Sequence, residues 1–154
     1  RIQLRARMPF RYGIVTMTEV PHVILRLTVE TAGRAHEGLA ADHLPPKWFT
    51  KDPNRPLAEE IDEMLVVIRA AVASARAIQA ATPFEFWQQL YAAQGKWGVA
   101  HRIPPLLAHF GTSLVERAII DAFCRSIGVP LVAALRDNRN FGADRRARGA
   151  NNRG

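Results

Sequence analysis

From Val23 to Glu30 the side chains alternate, with Val23, Leu25, Leu27 and Val29 on one side and Ile24, Arg26, Thr28 and Glu30 on the other. A period of two sends successive residues to opposite faces of a strand, so this segment has one face to bury. Its β-branched content suits a pleated, half-buried surface. Thr31-Ala32-Gly33-Arg34 then predicts a tight hairpin turn, with Gly33 supplying a positive φ. Ala35 to Ala41 reads as the returning strand. Upstream, Ile2, Leu4 and Ala6 alternate with Arg1, Gln3, Arg5 and Arg7, which predicts another strand with one buried face. Three strands in this order predict an antiparallel meander.

The period changes after Pro56. Leu57, Ile61, Met64, Leu65, Ile68, Val72, Ala75 and Ile78 recur every three or four residues and predict one helix from Leu57 to Ala81. Glu59 and Glu60 fall in its first turn, where the helix dipole favours negative charge. Thr82-Pro83-Phe84-Glu85 has the spacing of a capping box and predicts a helix from Pro83 to about Ala93. Gln94 to Arg102, with two glycines, reads as a loop, and Pro104 to Phe110 as one or two helical turns. Ser113-Leu114-Val115-Glu116 reads as a second capping box. The helix it opens would bury Val115, Ala118, Ile119, Ala122, Phe123 and Ser126, with Arg117–Asp121 and Asp121–Arg125 pairs outside. Gly128 fits a helix stop, and Pro130 opens a last short helix to Arg136. Residues 137–154 hold almost no apolar side chain after Phe141 and read as a disordered basic tail or as the truncated start of a further domain.

Two stretches between these elements read as loops. Met8 to Pro21 holds Pro9, Phe10, Tyr12 and Gly13; Asp42 to Pro56 holds four prolines around Trp48 and Phe49. Proline fixes φ and removes a donor, so the second stretch is neither helix nor central strand. Long loops of this kind in a compact domain are often binding loops.

Composition narrows the chemistry. At 154 residues, with 48% hydrophobic and 23% charged side chains, the chain suits one globular domain plus a tail. No apolar run is long enough to span a membrane, and arginines interrupt any signal-peptide core, so a cytoplasmic location is expected. The net charge of +7 comes from 18 arginines and only three lysines among the basic residues, a bias that genome composition explains as well as a polyanionic partner does. Aromatic residues are not interleaved with the arginines as a stacking surface requires, so nucleic-acid binding is disfavoured. The single cysteine, Cys124, excludes an intrachain disulfide and reads as a small buried hydrophobe. No glycine-rich phosphate loop and no nucleophile elbow is present. The five histidines show no paired zinc spacing; Glu37, Asp42 and His43 form the nearest approach to a ligand set, and they read better as ordinary polar residues at a strand end.

The order of parts resembles the N-terminal capping domain of the mandelate racemase/muconate lactonizing enzyme group of the enolase superfamily. The likeness is carried by Met8-Pro-Phe-Arg-Tyr-Gly13, by Thr18-Glu-Val-Pro-His-Val-Ile24, and by Leu44-Pro-Pro-Lys-Trp-Phe-Thr-Lys-Asp-Pro53. Its most specific part is Leu114-Val-Glu-Arg-Ala-Ile-Ile-Asp-Ala-Phe-Cys-Arg-Ser-Ile-Gly-Val-Pro-Leu131, similar to a helix with Glu and Ala-x-x-Asp-Ala followed by Gly-x-Pro-Leu. The resemblance covers residues 1–136. It implies an α+β fold, a three-stranded antiparallel meander followed by a helical bundle. It also implies a role as the substrate-selecting lid of a Mg²⁺-dependent enzyme, of racemase, dehydratase or lactonizing type, that abstracts the proton α to a carboxylate.

In such enzymes two cap loops close over a barrel; here they correspond to Phe10–Val20 and Asp42–Pro53. The barrel carries the bases and the Mg²⁺ ligands and takes about 200 residues or more. Only 18 residues follow Arg136. The expectation is therefore a fragment without its barrel, inactive alone, with no catalytic or metal-binding residue of its own. Substrate contact is expected at Tyr12, Thr16, Lys47 and Trp48, with Lys47 meeting an anionic or hydroxylated group of a sugar acid or related carboxylate. The rival expectation is a stand-alone basic binding or scaffold module that uses the arginines of the first strand and the tail, or that self-associates through an apolar face.

Overall fold

The computed structural model describes residues 2–136 with the exception of Ala32. The fold is α+β: a three-stranded antiparallel sheet in the order β1-β2-β3, followed by four helices. The strands are β1 (Ile2–Tyr12), β2 (Val15–Thr31) and β3 (Arg34–His43); the helices are α1 (Leu57–Ala75), α2 (Pro83–Ala100), α3 (Pro105–Ile127) and α4 (Leu131–Arg136). The expected disordered tail lies outside the described residues.

The alternation in β2 is realised as predicted. Val23, Leu25, Leu27 and Val29 are half-buried toward the helices, and Ile24, Arg26, Thr28 and Glu30 are exposed. Thr31 pairs with Arg34, and Gly33 sits at φ 73° in the turn between them. β1 departs from expectation: only Ala6 and Tyr12 along it are even partly buried. The reason is packing, because α3 lies across β3 and β2 while no described helix packs against β1.

Met8–Pro21 is not a loop. β1 and β2 pair up to Tyr12↔Val15, leaving Gly13-Ile14 as a two-residue turn with Gly13 at φ 51°. A glycine in the first of two central positions suits such hairpin turns. The period-two signal is broken by a wide bulge, in which Ala6, Arg7, Met8 and Pro9 stand opposite Thr18 alone. Pro9 has no N–H to give to a ladder, so a bulge is where a strand tolerates it.

The helices differ from expectation at their junctions. α1 stops at Ala75, after which the N–H groups of Ala77 and Ile78 donate to the carbonyls three residues back. Ile78 then folds against Ala71, Leu90 and Val115. Pro83 disfavours a helical Thr82, which is extended at φ −138° and ψ 155°. Thr82 Oγ1 accepts from Glu85 N–H as the capping spacing predicts.

α2 runs unbroken through Gly95 and Gly98, and α3 runs unbroken from Pro105, so the predicted loop at 94–102 shrinks to the residues around Arg102. Ser113 is inside α3 and caps nothing; its carbonyl accepts from Arg117 Nε. Gly98 and Gly111 let helices touch. A methyl group on Gly98 would come within 2.9 Å of Ala108 Cβ, and one on Gly111 within 2.3 Å of the Val67 carbonyl oxygen.

The core lies between the sheet and α1, α2 and α3, around Leu44, Met64, Val67, Leu90, Leu107, Leu114 and Val115. Ala118 and Ala122 are buried as expected; Phe123 and Ser126 are only partly so. Arg117 does not pair with Asp121. It reaches the sheet instead, donating to the Ala41 carbonyl and pairing with Asp42, while Asp121 accepts from Arg125 Nε and from Leu39 N–H. Cys124 is buried, and that burial, with Asp121 nearby, pushes its thiol up from its ordinary value.

Candidate functional site

Two segments far apart in sequence meet at one end of the sheet: the β1–β2 hairpin tip and the 44–56 connection from β3 to α1. Tyr12 Oη donates to the Pro46 carbonyl at 2.7 Å. The Tyr12 ring lies 5.9 Å from that of Phe10 and 5.7 Å from that of Trp48. Phe10 and Trp48 are each more than half exposed. The result is an aromatic platform on a closed junction, with large ring faces offered to solvent.

The junction is held from beneath by Lys47. Its backbone takes φ 63°, a left-handed conformation costing about 1–2 kcal/mol in a residue with a side chain. Its side chain turns inward and is 4% exposed. The ammonium donates to Glu60 Oε1 at 2.6 Å, to the Asp52 carbonyl at 2.7 Å and to the Arg55 carbonyl. The Lys47 N–H donates to Glu60 Oε2. Every proton of the ammonium is therefore used. Arg55 adds a 2.8 Å bond to Glu63 on α1, and Phe49 anchors the same loop 5.3 Å from Phe110. Trp48 is exposed because both of its neighbours, Lys47 and Phe49, are pinned inward.

Of the four expected contact residues, the fold brings Tyr12 and Trp48 together at the surface. Lys47 lies under them, its charge spent on the loop and on Glu60. Thr16 is exposed but pairs with Arg11, one position out of phase with Tyr12 and Phe10, and so sits on the opposite face of the hairpin. Phe10 and Glu60 belong to the site as built, and neither was among the expected contact residues. The two-residue spacing between Tyr12 and Val15 around Gly13 was the available signal for the hairpin; Glu60 gave none, because its partner is 13 residues away in an irregular segment.

Burial, and secondarily the negative charge of Glu60, raise the Tyr12 hydroxyl above its ordinary value of 10.0. Tyrosine is neutral when protonated, so the folded state keeps this proton to higher pH than the unfolded chain does. The stability tied to it is complete below about pH 10 and is lost as pH rises through the folded value. Tyr12→Phe is expected to cost about 1 kcal/mol at neutral pH, one net hydrogen bond. It should also flatten the fall in stability above pH 10. Urea titrations of both proteins at stepped alkaline pH check this; parallel alkaline slopes would refute the assignment.

Among the described residues no group of three or more His, Cys, Asp or Glu side chains is arranged to hold a metal ion. Asp42 is turned to Arg117, and Glu37 lies toward Arg26 at 3.9 Å, so the Glu37, Asp42 and His43 set does not assemble. No described helix is long and apolar enough to cross a membrane. Searches against protein-family models, curated proteins and solved structures found no match to this chain.

Proposed function

We propose that this chain is the substrate-selecting cap of a Mg²⁺-dependent, enolase-type enzyme that removes the proton α to a carboxylate. The reading rests on one observation above others: the hairpin and the proline-rich loop are joined at Tyr12 and Pro46 and present Phe10, Tyr12 and Trp48 together. Two loops fastened to one another form a stiff edge, which is what a lid needs if it is to shape a pocket without paying for ordering each time it closes. The platform itself offers aromatic faces, and its one hydroxyl is already donating. It selects and excludes water; the bases and the metal ligands would come from a barrel. The C–H faces of a sugar acid suit Trp48 and Tyr12, with the carboxylate directed to the metal side.

The test is complementation. The chain is fused to, or co-expressed with, an enolase-type acid-sugar dehydratase barrel lacking its own cap, and turnover is measured over a panel of sugar acids with Mg²⁺. Restored turnover is expected, and Trp48→Ala should change the kcat/KM ratio between two acids on the order of 10-fold or more, the scale on which pocket contacts discriminate. A complemented enzyme indifferent to Trp48, or no complementation by a folded chain, would sink the proposal. In the second case, salt-dependent binding of the chain to DNA would favour the basic-module reading.

A further inference from the structure

His22 on β2 and His43 on β3 are directly opposite one another in the ladder, and their Nδ1 atoms are 2.8 Å apart. The rings meet edge to face, with centroids 4.9 Å apart. Both project from the face of the sheet that no described helix covers, the side shared by the exposed Ile24 and Leu39. The strand ends that carry them are fixed. Leu44 N–H donates to the Pro21 carbonyl, and His43 N–H donates to Asp42 Oδ1. Asp42 itself is turned toward Arg117 and bonded there, so it does not compete for the imidazoles.

We propose that His22 and His43 form a two-imidazole chelate for a tetragonal divalent transition-metal ion, copper(II) foremost. The spacing lets both nitrogens reach one ion. Imidazole nitrogens lie about 2.0–2.1 Å from such ions, so two of them at a right angle are about 2.8–3.0 Å apart, against about 3.3–3.4 Å for a tetrahedral ion. In the metal-free pair a hydrogen bond holds the two nitrogens 2.8 Å apart, close enough for both to reach one ion after small ring rotations. Square or tetragonal nitrogen and oxygen sites take copper(II) or nickel(II), and copper(II) binds such donors more tightly than its neighbours in the row. In the metal-free pair one Nδ1 donates its proton to the other. Binding needs both lone pairs, so that proton moves to Nε2 of the same ring, and small ring rotations aim the two nitrogens at a common point. Water fills the remaining positions, for which the uncovered face leaves room.

The test uses the full, tag-free chain. Calorimetric titration with copper(II) is expected to give one site. Either His22→Gln or His43→Gln should weaken it by at least about tenfold, since even outer-sphere partners of a metal are worth that much. His36→Gln, which removes a lone imidazole from the other face of β3, should leave it unchanged. So that loss of structure in a variant does not decide the result, the unmodified protein is also read directly. Copper(II) should first broaden the amide resonances of His22, Ile24, Ala41 and His43, and the electron-spin resonance should show coupling to two equivalent imidazole nitrogens. Broadening centred on another histidine, coupling to one nitrogen, or undiminished binding in the doubly substituted chain would overturn the proposal.

Discussion

Glu60→Ala is expected to destabilise the chain by about 3–5 kcal/mol, the cost of leaving one half of a buried ion pair behind. Glu60 and Lys47 are each about 5% exposed, and both carboxylate oxygens are used, one by the Lys47 ammonium and one by its N–H. Without them a cation and a backbone donor remain in a space too small to hydrate them well. The left-handed backbone at Lys47 also loses the contact that holds it there. The loop would relax outward, and Trp48 would leave Tyr12. The two effects are separable. Urea midpoints report the loss of stability, which corresponds to a fall in Tm on the order of 10 °C or more for a chain of this size. Quenching of Trp48 by iodide, in a chain with Trp87 and Trp97 replaced by Phe, reports the loop. A loss below about 1 kcal/mol would mean that the pair is effectively solvated and resembles a surface ion pair.

Gly38→Ala is the second large effect, and it acts through shape alone. A methyl group there would sit 2.0 Å from the Ala118 carbonyl oxygen and 2.8 Å from both Ala122 N and Ala122 Cβ. These are atoms of the α3 backbone and its first side-chain carbon, so no rotamer change relieves the clash. Either α3 lifts off β3 or the strand bows away. Overpacking a filled core costs about 1–3 kcal/mol and occasionally more, and an encounter with backbone belongs at the upper end. Lifting α3 would also lengthen the Leu39 N–H to Asp121 bond, now 2.9 Å, and the Arg117 contacts to Ala41 and Asp42. The expected result is a loss of about 3 kcal/mol in urea unfolding, with faster exchange of the Leu39 amide hydrogen. A variant as stable as the parent would show that α3 has freedom to shift. Gly111→Ala provides a graded comparison. Its clash with the Val67 carbonyl is similar, but alanine in a helix interior recovers up to about 1 kcal/mol, so its net loss should be smaller.

What could be read in the sequence follows from how local each cause is. The alternation at Val23–Glu30 was legible because one neighbour, the helical layer, decides it. The starts of α1 and α2 were legible from Pro56, Thr82 and Glu85, each acting within a turn. Gly95 and Gly98 read as part of a loop because local propensity does not contain the neighbouring helix, whose Ala108 Cβ would lie 2.9 Å from a methyl group on Gly98. The first hairpin was hidden by the four residues opposite Thr18, which put the alternation out of phase. At the site, Tyr12 and Trp48 were legible as aromatic residues in stiff segments. The inward turn of Lys47 was not, since only the fold places Glu60 beneath it. The His22 and His43 pair was equally invisible: 21 positions separate the two residues, and one shift of register would send them to opposite faces.

The place of α3 has a consequence for synthesis. The sheet is local, with each strand pairing to the next across a two-residue turn. Its cover is remote: Leu39 is bound by Asp121, 82 positions later. On a ribosome adding about 5–20 residues per second, the meander is complete at least about 4 s before α3 exists. Throughout that interval Val23, Leu25, Leu27 and Gly38 face water on one side, while Ile24 and Leu39 face it on the other. Slowing translation between β3 and α3 would lengthen that exposure without changing a single contact of the finished molecule.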